Sequence, residues 1–497
     1  MGNRSVFNRR RLLQGFLAAG AGGAFGASAV RRQAYAAGDG KPRFLIVIGA
    51  FGGGAIIDSF LPVRAADSGN AESIDCFPDD QIVTYGDSPI RAVDAVTEFS
   101  PFFGPNTPLP LSWFTDKYRH QMMVTTLEGS SVNHAVAQHR ALTGGGSALN
   151  GRTLQECTAL AYGAGHPLPN VNMASGGLLE NGFDGSIDAT FRAEPIPAPL
   201  LKPLTFSGTK GLPGAPNDAV MAIARDLRDT ELDPHSSFHQ TFRNSPRVAL
   251  WKEQRQKARS LEAEGLIDKL LFVADSPQVP ISAHGLSTAP EYQRLVQLFP
   301  SISAPLSDPL EEQAALACLL LKNRVSVAVT ISPGFSPVLG GPYNVKTAVL
   351  AFDASHQNHR AAQALMWNRV LKIADGVIQF LSETIFDEAT GETFWDRSLV
   401  YFASDFGRDK TRPTGASVWG TGHNLNNGHL VVSPFANGNA VLGGVDPDTG
   451  LTYGFDLATG QADPGRKTTE IESFAGIAQA LGIETGSLPD VPAMRKG

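Results

Sequence analysis

Three largely apolar runs constrain the fold of this chain more than any other feature of its sequence. They are residues 44–48 (FLIVI), 325–331 (VSVAVTI) and 399–403 (LVYFA). Runs of this kind are typical of strands buried on both faces, which occur in parallel sheets. We therefore expect a sheet with helices packed on both of its faces.

The segments between and after these runs have helical patterns. Residues 310–323 begin with acidic residues and carry a lysine near their end, as the helix dipole favours. Residues 121–127 predict another strand, residues 359–382 a long amphipathic helix, and residues 470–481 a terminal helix. This alternation predicts an α/β fold, a doubly wound, mostly parallel sheet flanked by helices. The candidate inner positions of the long helix are Ala362, Leu365, Val370, Ile373, Val377 and Leu381.

The middle of the chain is less regular. Residues 160–245 are rich in Pro and Gly and predict loops, and residues 248–274 predict a charged helix. We therefore expect an irregular, partly helical insertion over about residues 160–300. The inner positions expected for the charged helix are Trp251, Leu261, Leu266 and Leu270.

The glycine and cysteine patterns exclude several site classes. The turn at residues 52–54 (GGG) has neither GxGxxG nor a P-loop ending, so it predicts a tight turn against the sheet rather than a phosphate site. The three cysteines, Cys76, Cys157 and Cys318, lack CxxC spacing and allow one disulfide or three free thiols. The formal charge of −7 gives no basic footprint for nucleic acid.

The first 36 residues have the composition of an export signal. They contain six Arg and no acidic residue, and residues 8–14 (NRRRLLQ) resemble the twin-arginine motif. An Ala/Gly-rich stretch follows, and residues 34–36 (AYA) have the form of a cleavage site. The alternative is an uncleaved anchor, but the stretch is weakly apolar for a transmembrane helix. We expect residues 1–36 to engage the twin-arginine translocation machinery and residues 37–497 to form one periplasmic or secreted domain without a stable transmembrane segment.

Candidate functional residues follow the predicted strands, where open parallel sheets bind their ligands. Asp353, His356 and His359 stand at three-residue steps and can converge on one cation if a helix begins here. Carboxylate with imidazole suits zinc or another borderline divalent metal. The alternative is a helix cap followed by two surface histidines.

Two further clusters lie near the end of the chain. Asp405 directly follows the strand LVYFA, where a buried carboxylate is costly unless it binds a metal or pairs with Arg408. His423 lies in the Gly-rich segment GTGH, which permits close approach to a ligand. A polar surface loop is the alternative interpretation of that segment.

The last cluster follows the strand at residues 121–127. Ser130 or Ser131 is a candidate nucleophile, and Asn133 or His134 a candidate anion contact. His134 and His139 are five positions apart and do not share a helical face. Capping and loop roles are the alternative for all of these residues.

Taken together, these segments resemble a family of twin-arginine-exported bacterial proteins named as a domain of unknown function. Its core is similar to the alkaline phosphatase and sulfatase superfamily. The resemblance rests on the export motif, the strand and Gly turn, the segment around Asn133-His134, and three short motifs. These motifs are FDxxH at residues 352–356, SDFGR at 404–408 and GTGH at 420–423.

The resemblance implies an alkaline phosphatase-like fold with two divalent metals that hydrolyses small anionic phosphate or sulfate esters. By position, three residues would serve one metal and Asp405 would hold a second. Zinc is the first choice, with manganese or calcium as alternatives. The three ligands of the first metal would be Asp353, His356 and His423, and catalytic groups would come from Ser131, Asn133 and His134.

The sequence departs from this family pattern at three positions. Asp58 is the first Asp after the Gly turn, Gly422 stands where an Asp often precedes the GTGH histidine, and Asn133 stands where Ser precedes the early histidine. Fewer carboxylates lower the cation affinity, and the missing hydroxyl removes the simplest nucleophile. The alternative hypothesis is therefore a non-catalytic exported binding or envelope-assembly protein on a degenerate hydrolase fold.

Overall fold

An eight-stranded sheet forms the centre of the described part of the chain. In chain order its strands are β1 (Phe44–Gly49), β2 (Met122–Glu128), β3 (Asn170–Asn172), β4 (Glu194–Pro195), β5 (Ala328–Ile331), β6 (Ser398–Ala403), β7 (Asn426–Val432) and β8 (Ala440–Leu442). Their order across the sheet is β8-β2-β7-β6-β1-β5-β3-β4. Only β7 runs against its neighbours β6 and β2; the other pairs are parallel.

This computed structural model describes residues 40–496 apart from several gaps. The gaps are residues 95–108, 147, 175–180, 207–213, 215, 246–247, 249–250, 253–254, 256–260, 262–264, 278, 305 and 334–350. The export signal expected over residues 1–36 lies outside the described residues and stays a prediction. No described helix is long and apolar enough to cross a membrane.

The predicted strands are confirmed at the core of the sheet. Every residue of β1 and β6 is buried, as their unbroken apolar runs require, and the two strands pair in parallel from Phe44–Ser398 to Gly49–Ala403. Parallel neighbours place their carboxyl ends at the same edge. Gly49 and Ala403 therefore lead into loops that meet at that edge.

Helices flank the sheet. They are α1 (Ile56–Phe60), α2 (Ser112–Tyr118), α3 (His134–Thr143), α4 (Leu154–Tyr162), α5 (Asp218–Leu227), α6 (Asp233–His235), α7 (Ser237–Phe242), α8 (Leu266–Leu270), α9 (Tyr292–Leu298), α10 (Pro309–Lys322), α11 (His359–Glu383) and α12 (Glu470–Ala480). The predicted helices at 310–323, 359–382 and 470–481 are confirmed. The architecture is thus α/β with a mostly parallel central sheet.

Two of the predicted helices, α10 and α11, have clear N-terminal capping signals. Asp308 caps α10 by accepting hydrogen bonds from Leu310 and Glu311, and Pro309 occupies the first turn. Asn358 caps α11 by accepting the N–H of Ala361. All six inner positions expected for α11 are at most 8% exposed, so its apolar face packs into the core.

The middle segment differs from the expectation in two ways. It contributes two short strands to the sheet, β3 and the edge strand β4, although residues 160–245 were expected to be loops. In the predicted helix at 248–274, Leu261, Leu266 and Leu270 are buried but Trp251 is 44% exposed, so its expected inner position is wrong. Strands of two or three residues are too short to show periodicity, and their pairing depends on other segments: β3 pairs with β5, and β4 pairs with β3.

Short strand pairs lie outside the central sheet. They are Ile82–Tyr85 with Ser88–Val93, Ile385–Asp387 with Glu392–Thr393, Gly407–Arg408 with His423–Asn424, and Thr452–Phe455 with Gly444–Val445 and Ala462–Asp463. Cys76, Cys157 and Cys318 are all buried free thiols. The disulfide alternative is therefore not realised in this structure.

Candidate metal centre

The loops after β1 and β6 are joined by hydrogen bonds at the carboxyl edge of the sheet. Asp405, two residues beyond β6, accepts hydrogen bonds from the backbone of Gly53 at 2.8 Å and of Gly52 at 3.2 Å. Gly53 has φ of +76°, and an added Cβ would lie 2.5 Å from Arg408 Nε. The Gly turn therefore serves as a tight turn, as predicted, and its backbone N–H groups bind a carboxylate of the protein itself.

Asp405 in turn holds His134. Its Oδ2 lies 2.8 Å from His134 Nδ1, and its side chain is fully buried. His134 is the first residue of α3, where Asn133 caps the helix by accepting the N–H of Val136. The cap fixes where α3 begins and so places the imidazole beside the sheet edge.

Four ligand-type atoms converge next to this pair. Asp353 Oδ1 lies 3.2 Å from His356 Nε2, 3.6 Å from His423 Nε2 and 3.6 Å from His134 Nε2. The Nε2 atoms of His356 and His423 are 2.9 Å apart. The sequence analysis expected Asp353, His356 and His423 to meet, and the structure brings them together.

Different elements supply these side chains. Asp353 and His356 lie on the 3₁₀ turn Ala351–His356, which leads into α11. His423 belongs to the short strand His423–Asn424 just before β7. Gly420 lies so close to this turn that a Cβ would be 1.9 Å from the carbonyl oxygen of His356. The glycine of GTGH therefore permits the two histidine segments to pack together.

The spacing fits a borderline transition metal. Two ligands at about 2.0–2.1 Å from one tetrahedral ion are separated by roughly 3.3–3.4 Å. Asp353 Oδ1 lies 3.2 Å from His356 Nε2 and 3.6 Å from His423 Nε2, which brackets this value, and the two histidine nitrogens are closer, at 2.9 Å. Because imidazole nitrogens and one carboxylate suit zinc and its neighbours, the donor chemistry agrees with the geometry.

The outer nitrogen atoms of two histidines are fixed by hydrogen-bond partners. His134 Nδ1 faces Asp405, and His423 Nδ1 lies 3.0 Å from the carbonyl oxygen of Val132. This arrangement turns the Nε2 atoms of both rings toward Asp353. Outer partners of this kind orient the histidine ligands of known metal sites.

Electrostatics also keep His423 in the neutral form that binds metals. Burial lowers the pKa of His423, the hydrogen bond to Val132 opposes this, and the nearby charge of Arg408 lowers it further. Arg408 is itself fully buried and lies 3.0 Å from Asp353 Oδ1 through Nη2. Its guanidinium also donates to the carbonyl oxygens of Gly52 and Phe352.

Three residues from the sequence analysis take other positions. Asp405 uses both oxygens for His134 and for backbone N–H groups, so it lies behind His134 rather than in the four-atom group. Ser131 Oγ accepts the N–H of Asn133, and Asn133 caps α3. Ser131 and Asn133 thus have their described contacts at the start of the helix.

A second cluster lies deeper, on the other side of the His356 turn. Asp58, Asp75 and His359 are buried and lie close enough together to hold a metal ion. His359 Nε2 lies 3.4 Å from Asp58 Oδ2 and 3.2 Å from Asp75 Oδ2. The expectation that His359 joins Asp353 and His356 is therefore wrong, because the chain enters α11 between them and turns His359 toward the interior.

Two cations flank the buried cluster. Lys410 Nζ lies 2.5 Å from Asp58 Oδ1, and Arg360 Nη2 lies 2.9 Å from Asp75 Oδ1. Burial by itself would raise the pKa of Asp75, but His359 and Arg360 lower it overall. Burial would likewise lower the pKa of His359, and Asp58 and Asp75 raise it overall.

Sequence reasoning missed the partners of this second cluster. Asp75 follows no predicted strand, and its contact with Arg360 joins residues 285 positions apart. The sequence did single out His359, as a partner of Asp353 and His356, and Asp58, as the first Asp after the Gly turn. No family model and no curated protein matches this chain.

Proposed function

We propose that this chain is an exported hydrolase that uses one divalent transition metal, zinc before manganese or calcium, to cleave a small anionic ester. The metal would be held by Asp353, His356 and His423. A bound metal of this kind polarises an ester oxygen and lowers the pKa of water. The observation that carries the proposal is the convergence of these three groups on one point beside the His134–Asp405 pair.

In this proposal His134 acts as the general base. A proton on Nδ1, shared with Asp405 at 2.8 Å, leaves the Nε2 lone pair free toward Asp353. A histidine held in this way can take a proton from water, and such a base contributes about 10²- to 10⁴-fold to a rate. Asp405 positions the ring rather than reacting itself.

This assignment modifies the two-metal site implied by the family resemblance. With both oxygens of Asp405 in use, the described residues around it leave no second carboxylate site beside the first group. Arg408 supplies a fixed positive charge there instead, 3.0 Å from Asp353. An alkaline phosphatase-like fold with a single-metal site is the form of the proposal that these contacts favour.

Metal binding by point variants tests the proposal. Purified protein is dialysed against Zn²⁺, and the bound metal is counted for the wild type, His356→Ala, His423→Ala and the control His120→Ala. The His120 side chain is 60% exposed and is not one of the proposed ligands, so His120→Ala should leave the amount of bound metal unchanged. We expect each of the first two variants to lose one equivalent of metal.

Activity is then measured on aryl phosphate and aryl sulfate esters. The proposal expects turnover that requires added metal and is lost in His423→Ala but not in His120→Ala. A wild type that binds zinc at this site yet cleaves none of these esters would instead favour the non-catalytic binding protein. A wild type that binds no metal would overturn both the site and the reaction.

We also propose that residues 1–36 direct export through the twin-arginine pathway to the periplasm or beyond. The basis is the motif NRRRLLQ alone. Replacing both Arg9 and Arg10 by Lys should retain the protein in the cytoplasmic fraction of the producing cell. Unchanged export of that variant would contradict the assignment.

A further inference from the structure

The buried cluster has two carboxylate oxygens without a hydrogen bond. Asp58 Oδ2 and Asp75 Oδ2 are shielded from solvent, and neither contact with His359 Nε2 meets hydrogen-bond geometry. The two residues are only 8% and 4% exposed. Buried carboxylate oxygens left in this state are costly, so a further partner between them is expected.

The three atoms have the arrangement of metal ligands. His359 Nε2 is 3.4 Å from one free oxygen and 3.2 Å from the other, close to the roughly 3.3 Å between two ligands of one tetrahedral zinc or a similar ion. Each ligand also has an outer partner. Lys410 holds Asp58 Oδ1, Arg360 holds Asp75 Oδ1, and Thr421 Oγ1 lies 3.2 Å from His359 Nδ1.

We propose that Asp58, Asp75 and His359 form a second cation site, separate from the centre at Asp353, for a divalent ion of the manganese or zinc kind. Two carboxylates and one imidazole suit these ions better than soft metals. The described residues around Asp353 form a histidine-rich group, whereas this one is oxygen-rich. The two sites should therefore differ in metal preference.

Charge determines what accompanies the ion. Lys410 and Arg360 already balance the two carboxylates, so a divalent ion adds two positive charges, of which one accompanying hydroxide would offset half. Asp58, His359 and Arg360 line a cavity whose other walls are mostly apolar. The cavity borders the cluster on the side of Asp58 and His359, and Asp75 does not line it.

Position suggests what the ion does. His359 opens α11, three residues after His356, and its Nδ1 faces Thr421, two residues before His423. An ion at this point fixes both segments that carry histidines of the exposed centre. The inferred site is thus a structural one that stabilises the segments carrying His356 and His423.

The experiment counts bound metal per chain with Mn²⁺ and Zn²⁺ as the probes. The full-length wild type, Asp75→Asn, His359→Gln and His423→Ala are dialysed against each ion and analysed for metal. We expect two equivalents for the wild type and one for each variant. The equivalent that remains in His423→Ala should be the one lost in Asp75→Asn.

The outcomes separate this inference from the proposed function. One equivalent that His423→Ala abolishes would overturn the buried site and leave the proposed function in place. One equivalent that survives in His423→Ala and disappears in His359→Gln would support the buried site and overturn the exposed one. If the buried variants do not fold, the wild-type count and the His423→Ala count still decide, because zero metal in His423→Ala contradicts the inference.

Discussion

The substitution Gly53→Ala is the sharpest test of how the site is assembled. The residue has φ of +76°, and an added Cβ would lie 2.5 Å from Arg408 Nε and 3.1 Å from the Phe406 ring. Gly165 has φ of +82° with nothing within 4 Å of the same Cβ position. Gly165→Ala is therefore a matched control that carries the backbone strain without the clash.

The two effects can be estimated separately. The left-handed conformation costs a non-glycine residue about 1–2 kcal/mol, and the stiffer unfolded chain returns about 0.4–1 kcal/mol. Both terms apply equally to the two variants. Crowding against Arg408 adds about 1–3 kcal/mol, as in other overpacked interiors. We therefore expect the free energy of unfolding to fall by about 1–3 kcal/mol more in Gly53→Ala than in Gly165→Ala.

Equilibrium urea unfolding, followed by tryptophan fluorescence and by circular dichroism, measures the difference. A companion zinc titration should show weaker binding for Gly53→Ala, because relief of the clash moves the guanidinium that lies 3.0 Å from Asp353. Equal losses of stability in the two variants would refute the packing argument. Equal zinc affinities would refute the role of Arg408 at the site.

Two further predictions concern buried polar groups. Asp405→Asn should lower ester turnover about 10²- to 10⁴-fold, because the new amide donates to His134 Nδ1 and moves the imidazole proton to Nε2. Turnover per bound metal is measured against the exposed control Asp80→Asn. Unchanged turnover in Asp405→Asn would exclude the role of His134 as general base. His429 is fully buried, and burial lowers its pKa from 6.5 to about 3. Because the unfolded chain takes up this proton first, the free energy of unfolding should fall as the pH drops below about 6.5, by up to about 1.4 kcal/mol per pH unit until about pH 3. Urea unfolding between pH 7 and pH 5 should show this slope, and His429→Gln should reduce it; an equal slope in that variant would contradict the assignment.

The parts of the fold that could be predicted are those with a local signal. The strands β1 and β6 are unbroken apolar runs, and α11 has a cap and a long apolar stripe, so their types followed from nearby residues alone. The meeting of Asp353, His356 and His423 was expected from the family resemblance, whereas the spacing of the residues alone grouped His359 with Asp353 and His356.

What could not be predicted depends on contacts between distant segments. The role of Asp405 behind His134 is set by the Gly52–Gly53 amides, which satisfy the carboxylate before a metal can. His359 was expected to share a face with His356, but the 3₁₀ turn ends at His356 and changes the direction of the next side chain. Asp75 has no periodic neighbourhood, so only the folded chain reveals its partner Arg360.

The reversed strand β7 has a consequence for the order in which the protein matures. Since β7 runs opposite to its neighbours, its beginning lies at the functional edge, and His423 reaches that edge from a segment made late in synthesis. The contact between Val132 and His423 closes a loop of 291 positions. Contacts between such distant residues form slowly, so the proposed metal pocket would be complete only when nearly the whole polypeptide has been synthesised and has folded. Metal bound in that pocket would therefore indicate that the chain is fully synthesised and folded.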